Sequence, residues 1–139
     1  MTDEIRQIVF RLSLRDESDV AAARRKAREL ANQQGLHSSA VEALATAVSE
    51  VARNVIVHAA SGEILLGVLS DSKRAGVVAV VRDDGPGISN IGDAMRDGYS
   101  SGGGLGLGLP SARRLVDEFE LKSAVGQGTN VTLKKWGLG

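Results

Sequence analysis

The stretch "IVFRLSLR" alternates apolar and polar positions and puts Ile8, Phe10, Leu12 and Leu14 on one face, the period-two signature of a strand. The acidic run "RDESD" then offers caps for a helix from about Val20 to Gln34, stopped by Gly35. Beyond it, Val41, Leu44, Ala45, Val48, Ala52, Val55 and Ile56 recur at helical spacing and form one apolar stripe. They predict a second helix from Ser39, where Ser39 and Glu42 have the spacing of a capping box, to about Ala59. Two β-rich runs, "EILLGVLS" and "VVAVVRD", flank the polar "DSKRAG" and predict a hairpin. Residues 84–108 are rich in glycine, with one short helix expected near Ile91 to Arg96. A loop of that length is usually functional or disordered. A helix from Pro110 to Phe119 follows, and "ELKSAV", "GQG" and "TNVTLKKW" close the chain as another hairpin. The order β-α-α-β-β-α-β-β predicts an α+β two-layer sandwich, with helices on one face of a mixed sheet.

Composition narrows the class without naming a function. A chain of 139 residues is one domain's worth, so a single domain over 1–139 is expected. Lys plus Arg and Asp plus Glu balance at 17 each, so no net field favours nucleic acid or an anionic membrane. The absence of cysteine excludes disulfides and thiolate metal sites. The two histidines, His37 and His58, are too few for a histidine-rich zinc site. Apolar runs such as "GVVAVV" are too short to cross a bilayer, and the N-terminus lacks the basic-then-apolar order of a signal peptide. A soluble cytoplasmic domain is expected, with no nucleic-acid or membrane partner.

Candidate chemistry sits in four segments. In "SEVARN", Glu50 and Asn54 are one helical turn apart and project from the same side, as a solvated polar face also would. "RDDGPGI" ends a strand that otherwise reads as buried, and its Gly85 and Gly87 around Pro86 suit an ordinary turn. "SGGGLGLGLP" places a glycine run directly before a helix, and "GQGT" reads alone as a hairpin turn. Glycine is what a loop needs where backbone N–H groups must converge on an anion and a side chain would obstruct them.

In their order and spacing these segments resemble the N, G1, G2 and G3 boxes of the GHKL ATPase superfamily, from Glu50 to Thr129. The run "AMRDGYSSGGGLGLGLPSARRLVDEF" and the "KKW" ending tighten the match to small bacterial serine kinases that regulate sigma factors, of the stressosome switch-kinase (RsbT) type. That resemblance implies a Bergerat-type fold that binds ATP and Mg²⁺. It makes Asn54 the Mg²⁺ ligand through a hard amide oxygen and Glu50 the general base that takes the proton of an incoming serine hydroxyl. Asp83 would accept a hydrogen bond from the adenine amino group, Gly85 and Gly87 would let the chain turn against the base, and Thr129 would complete the adenine side. Gly102, Gly103, Gly104, Leu105, Gly106, Leu107, Gly108 and Leu109 would form the phosphate cradle and lid, with a helix N-terminus aimed at the same anion.

The chain also departs from that pattern. No Lys or Arg lies between Arg96 and Arg113, and Val57 stands where many histidine kinases carry a basic residue. Arg53 and His58 are therefore the candidates for phosphate contact, His58 reading more readily as a helix-end residue with local hydrogen bonds. Slow turnover is expected from the shortage of cations. The resemblance further implies STAS-domain substrates (RsbS/RsbR-like) and release to a downstream RsbU-like phosphatase. Arg24, Arg25, Arg28, Arg113 and Arg114 are candidates for the partner surface, or a solvated face. Two alternatives stay open: an anti-sigma-factor kinase of the RsbW/SpoIIAB type, and a non-catalytic ATP-dependent binding module.

Overall fold

The computed structural model describes residues 4–59, 61–85, 87 and 108–137. Its described elements follow the expected order: β1 (Ile5–Ser13), α1 (Glu17–Gln33), α2 (Ser38–His58), β2 (Gly62–Ser70), β3 (Ala75–Asp83), α3 (Leu109–Leu115), β4 (Glu118–Ser123) and β5 (Thr129–Trp136). The helix expected near Ile91 to Arg96 lies outside the described residues.

The strands form one sheet in the order β1-β2-β3-β5-β4, and each neighbouring pair is antiparallel. The expected mixed sheet is thus corrected to an antiparallel one among the described strands, for a topological reason. Two helices, not one, lie between β1 and β2, so the chain has reversed direction when it pairs. The α3 crossover does return β4 in the direction of β3. β5, however, inserts between them and pairs with both.

Local capping fixes where the helices start. Asp16 caps α1, its Oδ1 accepting the N–H groups of Ser18 and Asp19 at 3.0 and 3.2 Å. Gly35, at φ 78°, follows its C-terminus. The capping box expected at Ser39 does not form: α2 begins at Ser38 with His37 at the N-cap and no side-chain cap bond. Glu42 instead takes the Arg28 guanidinium of α1 at 2.8–3.2 Å, which holds its carboxyl below the usual glutamate range. A partner across the helix interface has replaced one within the helix. The expected helix to Phe119 is also shortened. α3 stops at Leu115, and Glu118 and Phe119 open β4, where Phe119 pairs with Leu133 of β5.

α2 occupies the centre of the helical layer. Six of the seven stripe residues are buried, Ile56 packs at the edge, and Ala47 and Val51 are buried as well. The band is wider than one stripe because α2 packs on the sheet while α1 and α3 flank it. Each Leu or Val so enclosed contributes about 1.5–3 kcal/mol, enough to fix α2 rigidly over the ends of β3 and β5. On the other face of the sheet, Leu69, Val78, Val80 and Trp136 form a smaller cluster, capped by the Arg74 guanidinium 4.0 Å from the Trp136 ring centroid.

Candidate active site

Glu50, Asn54 and His58 stand at successive i, i+4 positions along the last turns of α2. Asn54 is part-buried, and its Nδ2 is enclosed with no hydrogen-bond partner among the described residues. A desolvated donor left unpaired costs about 1–3 kcal/mol, an unfavourable term that a polar ligand would relieve. His58 is the final residue of the helix, and Val57 beside it is 60% exposed.

Glu50 meets the C-terminal end of the glycine-rich segment. Gly108 caps α3 at φ 81° without a side-chain cap bond. A Cβ built there would overlap Glu50 Oε2 and lie 3.1 and 3.2 Å from Glu50 Cβ and Cδ. Glycine is therefore required twice, for its left-handed backbone and for its missing side chain. Leu109 and Ala112, both buried, pack α3 against the core and hold that approach. Gly102, Gly103, Gly104, Leu105, Gly106 and Leu107 lie outside the described residues.

At the end of β3, Asp83 is half-buried and its Oδ1 accepts two backbone N–H groups, from Gly85 at 3.0 Å and Thr129 at 3.1 Å. One carboxylate oxygen thereby ties the turn after β3 to the start of β5 and leaves Oδ2 without a partner among the described residues. The turn also closes on α2, since a Cβ on Gly85 would lie 2.9 Å from Ala59 Cβ. Gly87, at φ 78°, brings the same turn against the Ala124 carbonyl, where a side chain would collide. Ser123 fixes the Thr129 hydroxyl, the two oxygens being 2.9 Å apart, and donates to the Gly128 carbonyl at 2.9 Å. Around this edge runs an open groove of about 450 Å³ that includes Arg82, Asp83, Lys122, Gln127 and Thr129.

Arg53 is engaged by carboxylates. Its Nε and Nη2 donate to Glu17 of α1 at 3.1 and 3.3 Å, and its Nη1 lies 3.6 Å from Glu50 Oε1. The hydrogen bond to Glu17 is the largest influence on its pKa and, with the charges of Glu17 and Glu50, outweighs desolvation and raises it. Among the arginines considered for a partner surface, Arg28 is paired with Glu42, Arg24 Nε is enclosed without a partner among the described residues, and Arg25, Arg113 and Arg114 are exposed.

Among the described residues, no cluster of three or more His, Cys, Asp or Glu is placed to hold a metal ion. A cation here would depend on a neutral amide and on the oxygens of a bound ligand. Asn54 carries a hard amide oxygen of the kind such a cation takes, while its enclosed and unpaired Nδ2 is a donor that suits an acceptor such as a phosphate oxygen.

Of the sequence candidates, Glu50 and Gly108 are brought together directly, as are Asp83, Gly85 and Thr129, and Ala59 joins the second group to the helix that carries Glu50 and Asn54. Two residues escaped the sequence reading. Glu17 reads as an acidic residue of a helix's first turn, yet its carboxylate reaches across to α2. Ser123 becomes a neighbour of Thr129 only through the β4–β5 register. No local pattern signals either contact.

Residues 12–135 match the histidine kinase-like ATPase domain family. The serine/threonine-protein kinase RsbT of Bacillus subtilis (strain 168) is 41% identical over 120 residues, covering 86% of this chain and 90% of that protein. The anti-sigma F factor of Geobacillus thermodenitrificans (strain NG80-2) is 34% identical over 98 residues, covering 65% of each chain. That of Clostridium beijerinckii is 34% identical over 95 residues, covering 65% of this chain and 66% of its own.

Proposed function

The chain belongs to the histidine kinase-like ATPase domain family, as a homologue of the serine kinase RsbT, and from that premise we propose that it transfers the γ-phosphoryl group of ATP to a protein serine. The observation that carries the reading is that Glu50 meets Gly108, with Asn54 one turn further along α2, while the Asp83–Thr129 clamp closes through Gly85 on Ala59 at the end of the same helix. Membership of the family implies ATP binding. The Oδ2 of Asp83, without a partner among the described residues, suits the adenine amino group, which guanine lacks at that place. Gly85, Gly87 and Thr129 shape that end, and the segment from Gly102 to Leu109 takes the phosphates. Asn54 would hold Mg²⁺, which when bound neutralises phosphate charge.

In the transfer, Glu50 accepts the proton of the serine hydroxyl while the new O–P bond forms. The bond from the γ-phosphorus to the bridging oxygen breaks, and ADP leaves with that electron pair. The chain's share of catalysis is positioning and proton acceptance, with main-chain amides in place of lysines. Turnover is accordingly slow.

The acceptor is a STAS-domain protein of the RsbS/RsbR type, in a cytoplasmic stressosome, and phosphorylation frees the kinase to bind an RsbU-like phosphatase. The match spanning 90% of RsbT supports this over sigma-factor sequestration, for which the anti-sigma F matches span about two thirds of their proteins. The test is incubation with Mg-ATP and purified STAS-domain proteins, followed by mass spectrometry. One phosphoserine on the STAS protein is expected. ATP binding without transfer would make the chain a nucleotide-dependent binding module, and capture of a sigma factor in preference to a STAS protein would favour the anti-sigma reading.

A further inference from the structure

Arg53 precedes the candidate Mg²⁺ ligand by one residue, yet its guanidinium serves two carboxylates. Its fork is closed on Glu17, at 3.1 and 3.3 Å, and its third nitrogen lies 3.6 Å from Glu50 Oε1. The other oxygen of Glu50 rests against Gly108, where the chain has no side chain to yield. The Glu50 carboxylate is thus flanked by a cation on one side and by a rigid helix cap on the other. We propose that Arg53 is a positioning residue that orients the Glu50 carboxylate for proton acceptance, and that Glu17, by gripping the fork, sets where Arg53 stands. The proposal rests on the reading of Glu50 as general base.

The exposures explain why such a contact would serve orientation. The Arg53, Glu17 and Glu50 side chains are 41%, 63% and 35% exposed, so the ion pairs add little to stability. The planar fork is nevertheless fixed by its two bonds to Glu17, and the charge it holds 3.6 Å from Glu50 Oε1 biases the direction in which that carboxylate faces. Two arms of one side chain link the first turn of α1 to the reacting face of α2. Arg53 itself neither takes nor gives the proton, because its carboxylate partners stabilise the charged form. The serine proton passes to Glu50, the O–P bond forms, and ADP departs with the electrons of the broken bond.

A direct phosphate contact by Arg53 predicts something different, and kinetics separate the two. Arg53→Met, Arg53→Lys, Glu17→Gln and Glu50→Gln would be compared with the unaltered protein. The readouts are single-turnover transfer at saturating Mg-ATP to a STAS-domain protein that the preceding assay shows to be phosphorylated, and ATP affinity by calorimetry. Arg53→Met is expected to slow transfer by roughly 10- to 100-fold while ATP affinity stays within about two-fold, the signature of an interaction made in the transition state. Arg53→Lys, which keeps the charge without the fork, recovers part of the rate, and Glu17→Gln loses less than Arg53→Met. Melting temperatures should stay within about 3 °C of the unaltered protein. An unchanged rate in Arg53→Met would overturn the proposal, as would weakened ATP binding with the saturated rate intact. If Glu50→Gln abolishes transfer while Arg53→Met does not slow it, positioning falls and the general base stands. If Glu50→Gln transfers at the full rate, both fall together.

Discussion

Gly108→Ala probes the contact that joins the glycine-rich segment to α2. The substitution has two separable costs. An alanine held at φ 81° is disfavoured by about 1–2 kcal/mol relative to its ordinary conformations. Its Cβ would also overlap Glu50 Oε2 and crowd Glu50 Cβ at 3.1 Å, so the carboxylate must swing away. The protein should therefore lose about 1–3 kcal/mol in chemical denaturation followed by Trp136 fluorescence. Displacing a catalytic group by about 1 Å costs roughly 100-fold in rate, so single-turnover transfer should fall by that order with ATP affinity less affected. A double-mutant cycle divides the costs. In a Glu50→Ala background the overlap with the carboxylate is gone, and Gly108→Ala should retain the backbone penalty and only the 3.1 Å contact with the remaining Cβ, so it should cost less. Equal destabilisation in both backgrounds would show that Glu50 does not meet Gly108. A full transfer rate in Gly108→Ala would refute the placement of Glu50 at the reacting centre.

Two further substitutions test other parts of the account. Asp83→Asn keeps an oxygen for the Gly85 and Thr129 N–H groups but turns a donor toward the adenine amino group, so loss of one charge-assisted hydrogen bond, about 1.5–3 kcal/mol, should weaken ATP binding about 10- to 100-fold with little change in melting. Unaltered ATP affinity in titration calorimetry would remove Asp83 from the base-recognition role. In the β2–β3 turn, the Lys73 backbone N–H and then Arg74 hold the Asp71 carboxyl below its ordinary value of 3.8, against desolvation. A depressed folded pKa stabilises above the unfolded value and is lost as pH falls through the folded one. The stability gap between the unaltered protein and Asp71→Asn should therefore be full near neutrality and close below about pH 4, and a gap that widens on acidification would contradict this sign.

How far the sequence carried the reading depended on whether the determinants were local. The α2 stripe, the β2–β3 hairpin and the order of elements follow from periodicity and turn residues, and the structure reproduces them. The end of α3 does not, because Leu115, Val116 and Phe119 suit a helix face as well as a strand. Pairing of Phe119 with Leu133 decides in favour of β4. The Ser39 capping box fails for a similar reason, since Glu42 finds a cation on another helix. At the site, the resemblance of four short segments to the boxes of a known family singled out Glu50, Asn54, Asp83 and Thr129, which periodicity alone left as a polar face and turns. Glu17 and Ser123 were silent, each becoming a neighbour of the site only once helices pack or strands register.

Central to the proposed function is that this fold binds ATP between α2, α3 and the ends of β3 and β5, with Asn54 as the residue that would hold Mg²⁺. Titration of the folded protein with Mg-ATP in a calorimeter tests it most directly. The account predicts saturable heat at one nucleotide per chain, abolished affinity gain from Mg²⁺ in Asn54→Ala, and a raised melting temperature. A well-folded protein that gives no heat and no thermal stabilisation at saturating nucleotide and magnesium would contradict it.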